Sequence, residues 1–218
     1  MSLAFPLSRA VFWDLLPIRE FVLEPSEPQE LIRSRGGMVR AARIGQPLFV
    51  GRVLLDLLPL SLELQLQPLL GLVGRAGATF TVSDPRRPGP AADPTGATLG
   101  GATPTLTASA TDTREAQIDG LPSGYVLTQG DALAFEYGAA PVRRGYHRVV
   151  QTVTADGSGS VAAVELDPPL RDGVGGPVSL TLVQPSLAVR MIPGSLDLGA
   201  KRGGVREGVA FGIEEVIA

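Results

Sequence analysis

The chain has 218 residues, with 27 Gly, 19 Pro, no Cys and one His, and its formal net charge is -3. The lack of Cys excludes disulfides and thiolate metal sites, and one His is too few for a metal centre built on several histidines. A weakly acidic chain with 44% hydrophobic residues is neither a basic nucleic-acid binder nor a disordered acidic tail. We therefore expect one large or two small folded domains, with no sequence-specific binding to nucleic acid.

The Gly and Pro content favours short strands over long helices, because both residues destabilise helix interiors. Residues 12–23 are predicted to be a first extended segment, ended by a run rich in Glu and Pro. Two further predicted strands, residues 31–35 and 38–43, flank Gly36 and Gly37, a spacing typical of a β-hairpin. Residues 48–58 are predicted to continue as a strand, which gives an antiparallel meander.

One helix is predicted over residues 61–73, with Pro68 expected to kink or shorten it. Its apolar residues recur at the spacing of a buried stripe: Leu62, Leu66, Leu69, Leu70 and Val73. The proline-rich segment 84–101 is predicted to be a stiff loop. A second strand-rich block follows, with a turn at residues 155–159 in which Asp156-Gly157 is expected to supply a positive φ.

The only candidate for a histidine base is His147, with Ser123 or Ser158 as nucleophile. His147 lies in the middle of a predicted strand, and the chain has no Gly-x-Ser-x-Gly segment, so a strand-surface histidine is the favoured interpretation. An enzyme with paired carboxylates among Asp131, Glu136 and Asp167 ranks last, because nothing in the sequence fixes their separation. We expect no enzyme activity, no cofactor and no metal.

The chain start has no basic region followed by an apolar stretch, and the most apolar window, residues 50–73, is interrupted by charges and prolines. We therefore expect that the chain has no membrane span and that it folds in a cytoplasm. A mean hydropathy of +0.20 then favours apolar surface reserved for protein partners.

Basic pairs are interpreted as solvated loops or contacts to a protein partner: Arg86-Arg87, Arg143-Arg144 and Lys201-Arg202. The hypothetical acidic counterparts in a self-assembled ring are Glu24, Glu27, Glu30 and Glu214-Glu215.

Several segments together resemble the distal tail proteins of long-tailed bacteriophages and related prophages. They are the opening meander (residues 12–17, 32–37 and 45–48), the strand and Asp-Pro-Arg-Arg-Pro loop of residues 80–92, a strand-and-turn block (130–135, 146–149, 155–159 and 168–171) and the terminal strand 208–216. The resemblance implies a mainly β fold, with an N-terminal split-barrel or β-sandwich ring domain containing one helix, and a second small β-barrel or sandwich domain. The implied ring domain is residues 1–100 with 185–218, and the implied peripheral domain is residues 101–184.

The resemblance also implies a function: a structural virion protein that forms a hexameric ring at the distal end of a phage tail. Such a ring is assembled in the host bacterial cytoplasm and links the tail tube to the tail-tip hub or baseplate. The implied partners are further copies of the chain, the tail tube protein, the tail-tip hub protein and the tape measure protein. The interface candidates are Trp13, Arg33, Arg35, Arg86, Arg87, Phe211 and Glu214.

The alternative function is a carbohydrate-binding β module of a virion, formed by residues 120–185 and touching the host surface. Carbohydrate modules stack sugars on aromatic rings, and this chain offers few. Its only tyrosines are Tyr125, Tyr137 and Tyr146. The low aromatic content therefore argues against this function.

Overall fold

The computed structural model describes residues 3–217, and its 41% strand and 9% helix confirm a mainly β fold. Two short 3-10 helices, Arg9–Val11 and Trp13–Leu15, come first, and one α-helix, α1, spans Leu60–Val73. The strands in chain order are β1 (Ile18–Ser26), β2 (Gln29–Arg33), β3 (Val39–Arg43), β4 (Leu48–Leu55), β5 (Leu58–Pro59), β6 (Phe80–Val82), β7 (Thr105–Ala108), β8 (Glu115–Asp119), β9 (Val126–Leu127), β10 (Ala132–Tyr137), β11 (Arg143–Val149), β12 (Val153–Thr154), β13 (Val161–Asp167), β14 (Val178–Thr181), β15 (Leu187–Met191), β16 (Ala200–Arg202), β17 (Val205–Glu207) and β18 (Ala210–Glu215).

The chain forms two compact units, each built from separate stretches of sequence. The barrel unit contains residues 3–14 and 217 together with Thr79–Val189, and the arm unit contains Leu15–Ala78 together with Arg190–Val216. The division implied by the resemblance put residues 1–100 and 185–218 in one domain, whereas in the structure residues 3–14, 79–100 and 185–189 belong to the barrel unit. Which unit forms a ring stays a prediction.

Six strands of the barrel unit close into a barrel, in the order β10-β11-β13-β8-β7-β14. Alternating residues point inwards, as β8 shows with its buried Ala116 and Ile118 between exposed neighbours. Leu106, Ile118 and Val164 are completely buried in the barrel core. Closure pairs each strand on both sides and so removes the open edges of a flat sheet.

The first predicted strand is partly wrong, because Phe12 lies in the turn between the two 3-10 helices, Trp13 begins the second of them, and β1 begins only at Ile18. Phe12 packs edge-on against Phe80, with ring centroids 5.0 Å apart. The indole Nε1 of Trp13 donates a hydrogen bond to the carbonyl oxygen of Ser83 (2.9 Å). A strand would send these neighbouring rings to opposite faces, whereas the helical turns let both contact Phe80.

The predicted proline-rich loop at residues 84–101 is confirmed, and two buried carboxylates hold it in place. Asp93 accepts hydrogen bonds from the backbone N–H of Leu99 (2.8 Å) and from the Tyr125 hydroxyl (3.2 Å). Asp131 accepts one from the backbone N–H of Ala91 (2.8 Å). Burial acts to raise the pKa of Asp93, but its hydrogen bonds outweigh burial and lower that pKa.

The arm unit is built around an antiparallel group of strands in the order β1-β4-β18. The helix predicted over residues 61–73 is confirmed: α1 packs Leu66, Leu70 and Val73 into the core and continues through Pro68, which is exposed. Within residues 3–217 we find no helix with the length and apolar character needed to cross a membrane.

A tight turn at residues 155–160 precedes β13, but its geometry differs from the prediction. The positive φ belongs to Gly159 (81°) and not to Gly157, so the expected role of Asp156-Gly157 is wrong. The Asp156 carboxylate accepts hydrogen bonds from the backbone N–H groups of Ser158 (2.8 Å) and Ser160 (2.9 Å). This side chain therefore organises the start of the turn, and the reversal is completed at Gly159.

We expect Gly159→Ala to destabilise the barrel unit by about 1–3 kcal/mol, because it adds a side chain at positive φ. Its Cβ would also lie 2.0 Å from the carbonyl oxygen of Leu121. Gly157→Ala is the matched control, since no atom lies within 4 Å of the added Cβ. Urea unfolding followed by the fluorescence of Trp13 measures both variants, and equal unfolding free energies would contradict this account.

Candidate assembly surface

The hairpin formed by β2 and β3 continues the β1–β4 pairing beyond the core. Ser26 pairs with Leu48 at the end of one ladder, and Gln29 pairs with Arg43 at the start of the next. Every residue from 26 to 44 is exposed, and we call this segment the arm. The predicted hairpin is confirmed, although its loop spans residues 34–38 and is closed by a backbone hydrogen bond from Ser34 to Met38 (2.9 Å).

The arm exposes large apolar side chains. More than half of the surface of each of five residues is accessible: Leu31 (66%), Ile32 (56%), Met38 (61%), Val39 (51%) and Ile44 (65%). An isolated two-stranded hairpin is only marginally stable in water, and contiguous exposed apolar surface marks sites of protein contact. The arm is therefore the strongest candidate for a surface that another molecule covers.

The arm is also basic, because it contains four Arg and two Glu. Glu27, near its base, is bound by Gln29 and by Arg43, and these hydrogen bonds lower the pKa of the Glu27 carboxyl. The structure gives Arg33, Arg35 and Arg40 no carboxylate partner among residues 3–217. The outer part of the arm therefore combines apolar side chains with guanidinium groups available to a partner.

A second apolar surface lies on the side of α1 that faces solvent. Leu60 and Leu64 are 48% and 61% exposed, and Leu57, just before the helix, is 54% exposed. We call these three residues the leucine strip. The helix's only charged residue, Glu63, is buried, so the solvent side of α1 carries no charge. There Leu60 and Leu64 lie beside the exposed polar side chains of Ser61, Gln65 and Gln67. Large apolar side chains exposed on an uncharged helix face mark sites of protein contact, so the leucine strip is a further candidate contact.

The buried carboxylate of Glu63 connects α1 to the hairpin of β16 and β17. Arg206 lies 2.8 Å from one Glu63 oxygen and Lys201 lies 3.4 Å from the other. The Arg206 hydrogen bond is the largest cause of a lowered Glu63 pKa, with Lys201 adding to it. The basic pair Lys201-Arg202, predicted to face a partner or solvent, thus contributes Lys201 to an ion pair within the arm unit.

An open recess of about 570 Å³ lies beside the start of the leucine strip in the same unit. Leu57 lines it together with three carboxylates, from Asp56, Asp197 and Glu207, and one cation, Arg19. Glu207 also pairs with Arg202 at the exposed surface (3.1 Å). The recess is therefore acidic overall and has an apolar border.

The predicted interface candidates fall into different environments. Arg33 and Arg35 are exposed on the arm, whereas Trp13 and Phe211 are only 3% and 1% exposed and pack in the cores of their units. Glu214 forms an ion pair with Arg190 (2.6 Å). Trp13 and Phe211 are therefore core residues of their units, and their rings are not exposed to a partner.

The remaining candidates, Arg86 and Arg87, have contacts within the barrel unit. Arg86 Nε lies 3.2 Å from the buried carboxylate of Asp84, and Arg87 donates to the carbonyl oxygen of Gly130 (2.6 Å). The sequence also suggests Glu215 as an acidic surface group facing the basic pairs of a neighbouring copy. That prediction is wrong, because Glu215 is 3% exposed and accepts a hydrogen bond from the backbone N–H of Phe49 (3.0 Å). Core packing against the backbone of β4 accounts for this difference.

The prediction of a strand-surface histidine is wrong, because His147 is buried in β11 at 2% exposure. Its ring stacks on Phe135, with centroids 5.4 Å apart, and its Nδ1 donates to the carbonyl oxygen of Pro168 (2.6 Å). Burial lowers the pKa of His147 to about 4. The imidazole is therefore a neutral core group at pH 7.

The groups considered for the other functions are also engaged. Tyr125, Tyr137 and Tyr146 are at most 5% exposed, so they present no ring on which a sugar stacks. Among the suggested carboxylates, Asp131 is buried and Glu136 pairs with Arg144 (2.7 Å). Within the described part of the chain, no three His, Asp or Glu side chains converge in a way that would hold a metal ion.

The sequence matches no model of a known protein family and no curated protein. The resemblance to distal tail proteins therefore stays a prediction, carried by the segments quoted above.

We expect the barrel unit to lose about 2 kcal/mol of stability as the pH falls from 7.5 to 5, because of His147. The unfolded histidine binds a proton near its ordinary pKa of 6.5, whereas the folded one does so only near 4. Its contribution is therefore complete above pH 6.5 and decreases as the pH falls towards 4. The free energy of unfolding, measured with urea at several pH values, gives this loss, and His147→Leu should abolish it. An equal loss of unfolding free energy in the variant would overturn the assignment.

We expect Glu63→Gln to loosen the contact between α1 and the β16–β17 hairpin, because Arg206 and Lys201 lose their shared anion. Since the folded pKa of Glu63 is lowered, its contribution is present above the ordinary value of 4.5 and is lost as the pH falls through the folded value. Hydrogen exchange of β17 amides at pH 7 should be faster in the variant than in the parent. Exposed Glu115→Gln is the control, and equal exchange in both variants would contradict the role of Glu63.

Proposed function

We propose that the chain is a structural subunit that associates with copies of itself into a closed ring at the distal end of a long phage tail. In this proposal the ring is hexameric and links the tail tube protein to the tail-tip hub, with the tape measure protein as a further neighbour. The sequence resemblance supports the phage context, and the mainly β fold is compatible with it.

The exposed arm is the observation that carries the self-assembly part of the proposal. A basic hairpin with five exposed large apolar side chains is poorly suited to remain in water, and a partner protein would remove that surface from solvent. The leucine strip on α1 has the same property in the same unit. Two separate apolar surfaces suit a subunit that has a neighbour on each side.

The environments of the titratable groups favour a structural role over a catalytic one. His147 packs in the barrel core, Asp93 and Asp131 hold the proline-rich loop, and Glu63 anchors α1. Each of these buried groups has hydrogen-bond or ion-pair partners that account for its position. A ring subunit needs this rigidity and requires no chemistry.

The proposal predicts that the purified full chain forms a discrete oligomer whose mass, by native mass spectrometry, is that of six copies. Leu31→Ser combined with Met38→Ser should shift the population towards monomer, because it removes apolar contact area from the arm. Val142→Ser combined with Val150→Ser is the matched control, since these exposed valines lie in the barrel unit. Negative-stain images should contain rings for the parent and the control only.

A chain that stays monomeric at its highest soluble concentration would contradict the proposed ring. So would an oligomer that the arm and control substitutions weaken equally, since the arm would then make no specific contribution. Circular dichroism of each variant distinguishes loss of assembly from loss of folding.

A further inference from the structure

We propose that the arm of one copy docks onto the leucine strip and the acidic recess of the next copy. This inference rests on the proposed self-assembly and adds to it the two surfaces that meet. The arm supplies apolar side chains and arginines, and the receiving surface supplies leucines and carboxylates.

Charge identifies a second copy as the occupant. The arm carries a net charge of +2 in a chain whose net charge is -3, so the remainder of each copy carries -5. A basic arm is therefore attracted to other copies of its own chain, and complementary charge of this kind favours encounter and orientation. Nucleic acid, the other common partner of a basic hairpin, would be repelled by that negative remainder.

The local pattern on the arm matches the local pattern on the receiving surface. Arg33 is paired directly with Val39, and Ile32 is paired directly with Arg40. Each face of the outer arm therefore presents a guanidinium group beside an apolar side chain. On the receiving surface, Leu57 belongs to the leucine strip and also lines the recess together with its carboxylates.

The two surfaces are different parts of the same unit, so the contact between copies is heterologous. Such contacts repeat from one copy to the next and form rings when the rotation closes. Residues 26–33 along the arm extend roughly 25 Å as a strand, which is long enough to reach across a boundary between subunits. An arm-to-strip contact thus forms a ring when its rotation closes, whereas a symmetric contact between two arms would stop at a dimer.

Charge reversal tests the pairing of the two surfaces in the full chain. Arg33→Glu with Arg40→Glu, and separately Asp56→Arg with Glu207→Arg, should each raise the dissociation constant of the oligomer by about tenfold or more. Combining all four substitutions should restore assembly to within a few-fold of the parent, because the attraction is re-formed with its sign exchanged. The control is Glu115→Arg with Asp172→Arg, two exposed carboxylates of the barrel unit, and it should leave assembly unchanged.

Cross-linking gives a second readout that does not depend on charge. Because the chain has no Cys, the pair Met38→Cys and Leu57→Cys introduces the only two thiols. A short bifunctional maleimide should then produce a ladder of covalent oligomers from the assembled protein. Met38→Cys with Val142→Cys is the matched control and should produce no ladder.

The outcomes separate this inference from the proposed function. Rings that survive both charge reversals, or reversals that the combination does not rescue, overturn the arm-to-strip contact and leave the ring proposal standing. A ladder of equal length in both cysteine variants also overturns it. A parent chain that never assembles overturns both. Rescue by the combined reversal, together with a ladder specific to residues 38 and 57, supports the contact.

Discussion

The antiparallel ladder between β1 and β4 sets the position of the candidate assembly surface. Its first part, from Ile18 opposite Leu55, packs Phe21, Leu23 and Val53 into the core of the arm unit. Beyond the core, the next ladder pairs β2 with β3 and so keeps the two strands together along the arm. The two ladders are separate but close along the chain, so both strands of the arm connect directly to the sheet of the arm unit.

Buried carboxylates organise the segments that lack an extensive ladder of their own. Asp93 and Asp131 bind backbone N–H groups around the proline-rich loop, and Glu63 binds two cations between α1 and β16–β17. Prolines donate no backbone hydrogen bond, so a loop rich in them depends on the N–H groups of its other residues. These buried acidic side chains therefore stabilise loops and contacts inside each unit, in addition to contributing to the net charge.

Local patterns in the sequence were sufficient to predict the mainly β class, the helix near residues 61–73 and the hairpin around Gly36-Gly37. They could not place Trp13, Phe211, Glu215 or His147, because a side chain's burial depends on distant segments that fold against it. Phe80 and Ser83 hold Trp13, for example, and they lie almost seventy positions along the chain. The same limit applies to the arm: alternation identifies a hairpin, but only the tertiary structure reveals that both of its faces are exposed.

The order of synthesis gives the divided arm unit a further property. β1 and β4 leave the ribosome early, whereas their partner β18 begins only at Ala210, after the whole barrel sequence has been made. The barrel unit can thus close while the arm unit still lacks a strand of its sheet. In a nascent chain the arm unit therefore lacks a complete β1-β4-β18 sheet until the barrel sequence and β18 have both been made.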